Sequence, residues 1–137
     1  MRNAKLLIAV AQAIEQYPGG YNQRTWYSKL EPVGMGRAEC QPTGFAYCVP
    51  YVKDVAGAHA CGTVACIAGW AVALTPLKER RLRTGESVSD AAGRLLGLDE
   101  DEKRVLFNGR WRPSEGLSVP DALRCFAAGR NVYSVTN

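Results

Sequence analysis

An uncharged hydrophobic stretch occupies the middle of the chain. No Asp, Glu, Lys or Arg occurs from Val64 to Leu77, and on a 3.6-residue period a helix here is apolar on every side. Such a helix is normally buried rather than resting on a surface. Thr63 can cap its N-terminus, and Pro76 follows it. The pattern therefore predicts a central buried helix over about residues 63–75.

Gly69 lies inside this predicted helix. Glycine costs roughly 1 kcal/mol relative to alanine in a helix interior, so its presence needs a packing reason. We expect another backbone to pass close to the stripe formed by Ala65, Gly69 and Ala73. The helical part is about twelve residues where a membrane span needs about twenty, so we predict no membrane span.

Amphipathic helices are predicted on both sides of the central one. In residues 3–16 the apolar positions Leu7, Val10 and Ile14 recur on one face, and Pro-Gly-Gly at 18–20 ends the pattern. Ser87, Asp99 and Ser118 each precede a further helical pattern as N-cap residues. The fold class predicted is mainly α, a compact bundle around the central buried helix in a single domain, 1–137.

Residues 28–58 break this helical pattern with repeated prolines and glycines. The β-prone runs 45–49 and 51–52 predict a short β-hairpin or an irregular insertion within 28–58. A connection of this length is often a binding loop, so we expect a partner surface here.

Composition narrows the class of protein only slightly. The 137 residues are 22% charged and 47% hydrophobic with a net charge of +4, which is ordinary for a soluble globular chain. The apolar run after Lys5 is too short for a signal peptide. We therefore expect a cytoplasmic protein, whose five cysteines are free thiols or metal ligands rather than a disulfide framework.

One hypothesis for the cysteines is nucleophilic catalysis. His59, Cys61 and Cys66 bracket the start of the predicted helix, where the helix dipole favours a thiolate and an imidazole could act as base. No third orienting residue is evident. One alternative function is thus a cysteine-dependent hydrolase or transferase that uses Cys61 or Cys66. The competing interpretation is that these cysteines are buried structural thiols.

Zinc is another hypothesis, and the only cofactor that the residues suggest. The candidate ligands are Cys40, Cys48, His59, Cys61 and Cys66, although their spacing contains no Cys-x2-Cys pair. A small zinc-stabilised module is therefore a further alternative.

Nucleic-acid binding is the remaining alternative. A basic run, Lys78, Arg80, Arg81 and Arg83, follows the central stretch and would supply phosphate contacts if exposed. The chain has no Walker loop, GxSxG or HExxH motif.

The aromatic and amide-rich segment 21–27 has two interpretations. In the first, Trp26 fills the core while Asn22 and Gln23 cap a turn. In the second, Asn22, Gln23 and Trp26 line a binding pocket beside Cys61, Thr63 and Trp70.

Two motifs together support a resemblance: Asn22-Gln23-x-x-Trp26 and Cys61-Gly62-Thr63-x-x-Cys66-Ile67-Ala68-Gly69-Trp70-Ala71. The chain resembles a group of small uncharacterised proteins encoded by bacteria and their viruses. The resemblance implies no reaction. It implies a non-enzymatic accessory protein of phage type that binds and inhibits a host protein, such as defence machinery, in the bacterial cytoplasm.

Overall fold

The computed structural model describes residues 2–33, 36–40 and 44–137, with the backbone alone described for 29–33, 36–40 and 59–61. These residues form a mainly helical fold, as predicted, with a small sheet. The helices are α1 Ala4–Gln16, α2 Val55–Cys61, α3 Ile67–Ala73, α4 Leu77–Arg80, α5 Val88–Leu96, α6 Glu100–Leu106 and α7 Val119–Ala127, and the strands are β1 Ser28–Val33, β2 Gly36–Cys40 and β3 Thr63–Val64.

α3 is the central buried helix, and all seven of its residues are buried. It is shorter than predicted, because it begins at Ile67 and Thr63 belongs to β3 rather than capping the helix. The reason is long-range. The Ala65 N–H donates to the Gly20 carbonyl at 2.9 Å and the Cys66 N–H donates to the Thr25 carbonyl at 2.6 Å, so residues before Ile67 are held extended.

Among the described residues, two helices pack directly on α3. α1 contacts α3 and α7, and α5 contacts α3 and α1. The predicted inner face of α1 is confirmed, since Leu7, Val10 and Ile14 are buried. Each such side chain contributes roughly 1.5–3 kcal/mol to folding, which is enough to hold α1 against its neighbours.

The predicted N-caps are present. The side chains of Ser87, Asp99 and Ser118 accept hydrogen bonds from backbone N–H groups three residues later. At Asp99 the capping box is complete, because the Glu102 side chain also accepts from the Asp99 N–H at 3.0 Å. These local signals set where α5, α6 and α7 begin.

The sheet has the order β2-β1-β3 and is antiparallel throughout. A β-hairpin is present within 28–58, as predicted, but β1 and β2 form it. The β-prone runs 45–49 and 51–52, from which the hairpin was predicted, are not its strands. Phe45 makes a single bridge to Ser87, and Ala46–Cys48 is a 3-10 helix. The physical cause is that the Val49 N–H bonds back to the Ala46 carbonyl at 3.2 Å, and Pro50 has no N–H to continue a ladder.

Candidate functional site

The segment with the Asn22-Gln23-x-x-Trp26 motif lies against the helix that contains Gly69, and the two contact each other through their backbones. A Cβ at Gly69 would lie 1.6 Å from the carbonyl oxygen of Trp26 and 2.8 Å from its carbonyl carbon. The close backbone approach predicted for Gly69 is thus confirmed, and the segment that approaches is 22–26. Only glycine permits this contact, so the position of Trp26 depends on Gly69.

Gln23 and Trp70 join the two motifs from the inside. The Gln23 Nε2 donates to the carbonyls of Leu106 and Asn108, both at 2.8 Å, and the Tyr21 hydroxyl donates to Gln23 Oε1 at 2.6 Å. The Trp70 Nε1 donates to the Gly20 carbonyl at 2.9 Å, and Trp70 is fully buried. Both side chains use their polar groups to hold the fold together.

The proposed binding residues therefore separate into interior and surface positions. Thr63 is fully buried, with its Oγ1 3.4 Å from the Tyr27 hydroxyl. Asn22 and Trp26 lie at the surface, and Asn22 Oδ1 accepts from the Arg24 N–H at 2.9 Å. The Cys61 side chain lies outside the described residues. Among the proposed binding residues whose side chains the structure describes, only Asn22 and Trp26 lie at the surface.

Cys66 is in an environment that disfavours a thiolate. It is 2% exposed, and burial raises the pKa of its thiol to about 11 even though nearby backbone N–H groups act in the opposite direction. Its Sγ lies 4.0 Å from the Trp26 carbonyl oxygen. The Cys66 thiol therefore stays protonated near neutral pH, which does not suit a nucleophile.

The other metal and catalytic candidates are only partly described. Cys48 is exposed, whereas the side chains of Cys40, His59 and Cys61 lie outside the described residues. Among the side chains that the structure does describe, no group of three or more His, Cys, Asp and Glu is placed to hold a metal ion. The zinc hypothesis stays a prediction.

The basic run does not form one surface, contrary to expectation. Arg80 is fully buried, and its guanidinium donates to the carbonyls of Thr75 and Val49. Desolvation lowers its pKa. Arg80 is the last residue of α4, and Arg81 follows it with φ 47°, while the Val49 carbonyl that accepts from Arg80 belongs to a segment distant in the chain. Lys78, Arg81 and Arg83 remain exposed.

Exposed aromatic side chains form the most distinctive surface feature. We call Trp26, Phe45 and Tyr47 the aromatic surface; they are 37%, 53% and 67% exposed. The rings of Phe45 and Tyr47 are 5.9 Å apart between centroids. A Cβ at Gly44, the residue before Phe45, would lie 3.6 Å from Trp26 Cδ1, so the backbone next to Phe45 passes beside the Trp26 indole.

Trp26 also forms one wall of a shallow cavity of about 300 Å³. Its indole packs edge-on against Phe107, with centroids 6.5 Å apart. Charges of both signs surround it, since the Lys103 Nζ lies 3.0 Å from an Asp90 oxygen and 3.2 Å from a Glu100 oxygen. The hydrogen bond from Lys103 lowers the pKa of Asp90, so this rim stays charged at neutral pH.

Sequence analysis singled out Trp26 and expected a partner surface within 28–58, but it did not identify Phe45 and Tyr47 as exposed. Their β-propensity indicated a strand, in which alternate residues would be buried. The signal that could have found them is a pair of aromatics in a five-residue run bounded by Gly44 and Pro50, which limit the length of any strand there.

In the part of the chain that the structure describes, none of the helices has the length and apolarity required to traverse a bilayer. No family model matches the chain, and no curated protein or solved structure matches it either. The candidate function therefore depends on the geometry and the sequence motifs.

Proposed function

We propose that this chain is a non-enzymatic accessory protein that acts by binding another protein through the aromatic surface. The single observation that carries the proposal is the exposure of Trp26, Phe45 and Tyr47, each more than a third exposed. The Phe45 and Tyr47 rings contact each other, and the backbone at Gly44 passes beside Trp26. Trp and Tyr dominate the energetics of protein interfaces because they bury a large area with few rotatable bonds.

The surrounding charges favour a protein as the partner over a nucleic acid. Protein interfaces combine an apolar centre with a polar rim of both signs. Here Lys103 alternates with Asp90 and Glu100, and Arg104 pairs with Asp101. A nucleic-acid surface would instead present uncompensated cations, and the burial of Arg80 removes one from the basic run.

The identity of the partner class follows from the resemblance rather than from geometry. The resemblance implies that the chain acts in the bacterial cytoplasm and that its partner is a host protein whose activity is inhibited, such as a component of defence. This part of the proposal predicts a stoichiometric complex and loss of the partner's own activity.

Affinity capture from a bacterial lysate with quantitative mass spectrometry tests the proposal. The test variant is Phe45→Ser/Tyr47→Ser, because both side chains are largely exposed and their loss leaves the core intact. The matched control is Leu77→Ser/Tyr133→Ser, which removes two other exposed hydrophobic side chains, 64% and 61% exposed.

The proposal expects a protein that the wild type and the control retain in stoichiometric amount and that the aromatic variant loses. Equal retention by all three proteins would refute the aromatic surface as the binding site. A purified partner whose activity is unchanged on titration to one equivalent would refute inhibition while leaving binding in place.

A further inference from the structure

β2 is an edge strand of the sheet. It pairs with β1 over five residues, and among the described residues nothing pairs with its other side. An edge strand presents unpaired backbone N–H and C=O groups, which can accept a further strand. The backbone of β2 is therefore a candidate for intermolecular pairing.

Pro32 fixes which groups of β2 face outward. Pro32 is aligned with Arg37 and has no N–H, so these two residues cannot exchange a pair of hydrogen bonds. The exchanging pairs must be the neighbours, Glu31 with Ala38 and Val33 with Gly36. By alternation, Arg37 and Glu39 direct their backbone N–H and C=O away from β1.

We propose that two copies of this chain associate through β2, antiparallel about a two-fold axis at Ala38. In that register Arg37 of each copy stands opposite Glu39 of the second copy. These are the two positions whose backbone groups face outward, so each such pair exchanges two N–H···O bonds. The result is a continuous six-stranded sheet with a self-complementary interface.

The charges select this register and favour a second copy as the occupant. An axis at Arg37 would place Arg37 opposite Arg37 of the second copy. An axis at Glu39 would likewise place Glu39 opposite Glu39 of the second copy. Both of these axes keep the hydrogen-bond alternation but place like charges at facing positions, which destabilises pairing. Only the axis at Ala38 sets opposite charges against each other, and it does so twice.

Sedimentation velocity over a concentration series, in reducing buffer, tests the proposal. The wild type is expected to pass from monomer to dimer as concentration rises. Arg37→Glu and Glu39→Arg each create like-charge pairs, so each is expected to raise the dimer dissociation constant about tenfold, given two altered cross-strand pairs.

Two combinations make the charge test decisive. The double variant Arg37→Glu/Glu39→Arg restores opposite charges and should dimerise like the wild type. An equimolar mixture of the two single variants should form a mixed dimer, because one chain then carries acidic residues at both positions and the other carries basic residues at both. Each facing pair in the mixed dimer is therefore opposite in charge. Far-UV circular dichroism checks that every variant keeps the fold.

Ala38→Cys tests the register itself. Ala38 faces itself across the axis as a non-hydrogen-bonded pair, with Cα atoms about 4.5 Å apart, within disulfide range. With Cys40 and Cys48 replaced by serine in both proteins, mild oxidation should therefore give a reducible dimer of the Ala38→Cys variant that its parent does not form. A wild type that stays monomeric throughout the series, or single variants that dimerise as well as the wild type, would overturn the proposal.

Discussion

Replacing Gly69 with alanine tests the contact on which the position of Trp26 depends. The new Cβ would lie 1.6 Å from the Trp26 carbonyl oxygen, less than half of a normal carbon–oxygen contact. The carbonyl cannot simply move away. Its neighbour Thr25 accepts a 2.6 Å hydrogen bond from the Cys66 N–H, so a shift of this backbone breaks that bond as well.

Three terms determine the expected change in the free energy of unfolding. Alanine is favoured over glycine in a helix by about 1 kcal/mol. Against this, overpacking costs about 1–3 kcal/mol or more, and disturbing the Cys66–Thr25 hydrogen bond costs about 1 kcal/mol. We expect Gly69→Ala to destabilise the protein by about 1–3 kcal/mol, or roughly 3–12 °C in melting temperature at this chain length.

Gly93 provides a matched control because it also lies inside a helix, α5. A Cβ there would come within 2.4 Å of Lys103 Cδ, but that obstacle is a flexible side chain rather than backbone. We expect Gly93→Ala to change stability by no more than about 1 kcal/mol, since the helix-propensity gain offsets the movement of Lys103. Urea unfolding followed by circular dichroism measures both variants.

Helix propensity alone would make Gly69→Ala more stable than the wild type. If Gly69→Ala is as stable as the wild type, or more stable, then the 22–26 segment does not pack against α3 as described and the exposure of Trp26 loses its structural basis.

Two further predictions concern buried groups. Arg80→Ala should destabilise the protein by about 3 kcal/mol, because it leaves a cavity and removes the donors for the carbonyls of Thr75 and Val49. Lys78→Ala, at an exposed position beside it, should stay within about 0.5 kcal/mol in the same urea unfolding measurement, and equal effects of the two would contradict the burial of Arg80. The pKa of Cys66 rises from 9.0 to about 11 on folding, so the folded state holds its proton more tightly and stability should fall by roughly 2–3 kcal/mol as pH rises from 9 to 11. Cys66→Ala should remove this contribution from unfolding curves measured across the range, although the raised pKa of Tyr21 adds a decline of its own at the upper end. An unchanged pH slope in the variant would refute the assignment.

Local signals in the sequence predicted much of the helical framework. A cap side chain and the first-turn N–H groups lie within three residues of each other, so Ser87, Asp99 and Ser118 indicate their helices without tertiary information. Gly69 was informative for a related reason, because a glycine that weakens a helix signals a neighbour that excludes a side chain.

The features that sequence missed depend on partners distant in the chain. The start of α3 at Ile67 is set by carbonyls of Gly20 and Thr25, which no local pattern around Thr63 reveals. Arg80 looks like one member of an exposed basic run, yet the carbonyl of Val49 that accepts from it comes from another segment. Likewise Phe45 forms its single bridge with Ser87, a residue of another segment, through hydrogen bonds that its neighbours Gly44 and Ala46 make to Val88 and Glu86.

The dissociation constant of the captured partner, measured by isothermal titration for the wild type and Phe45→Ser/Tyr47→Ser, tests the central claim most directly. We expect the double substitution to weaken binding by at least about thirtyfold, because two interface aromatics are lost. The Leu77→Ser/Tyr133→Ser control should bind like the wild type. Equal dissociation constants for all three proteins would contradict the claim that the aromatic surface is where this protein binds its partner.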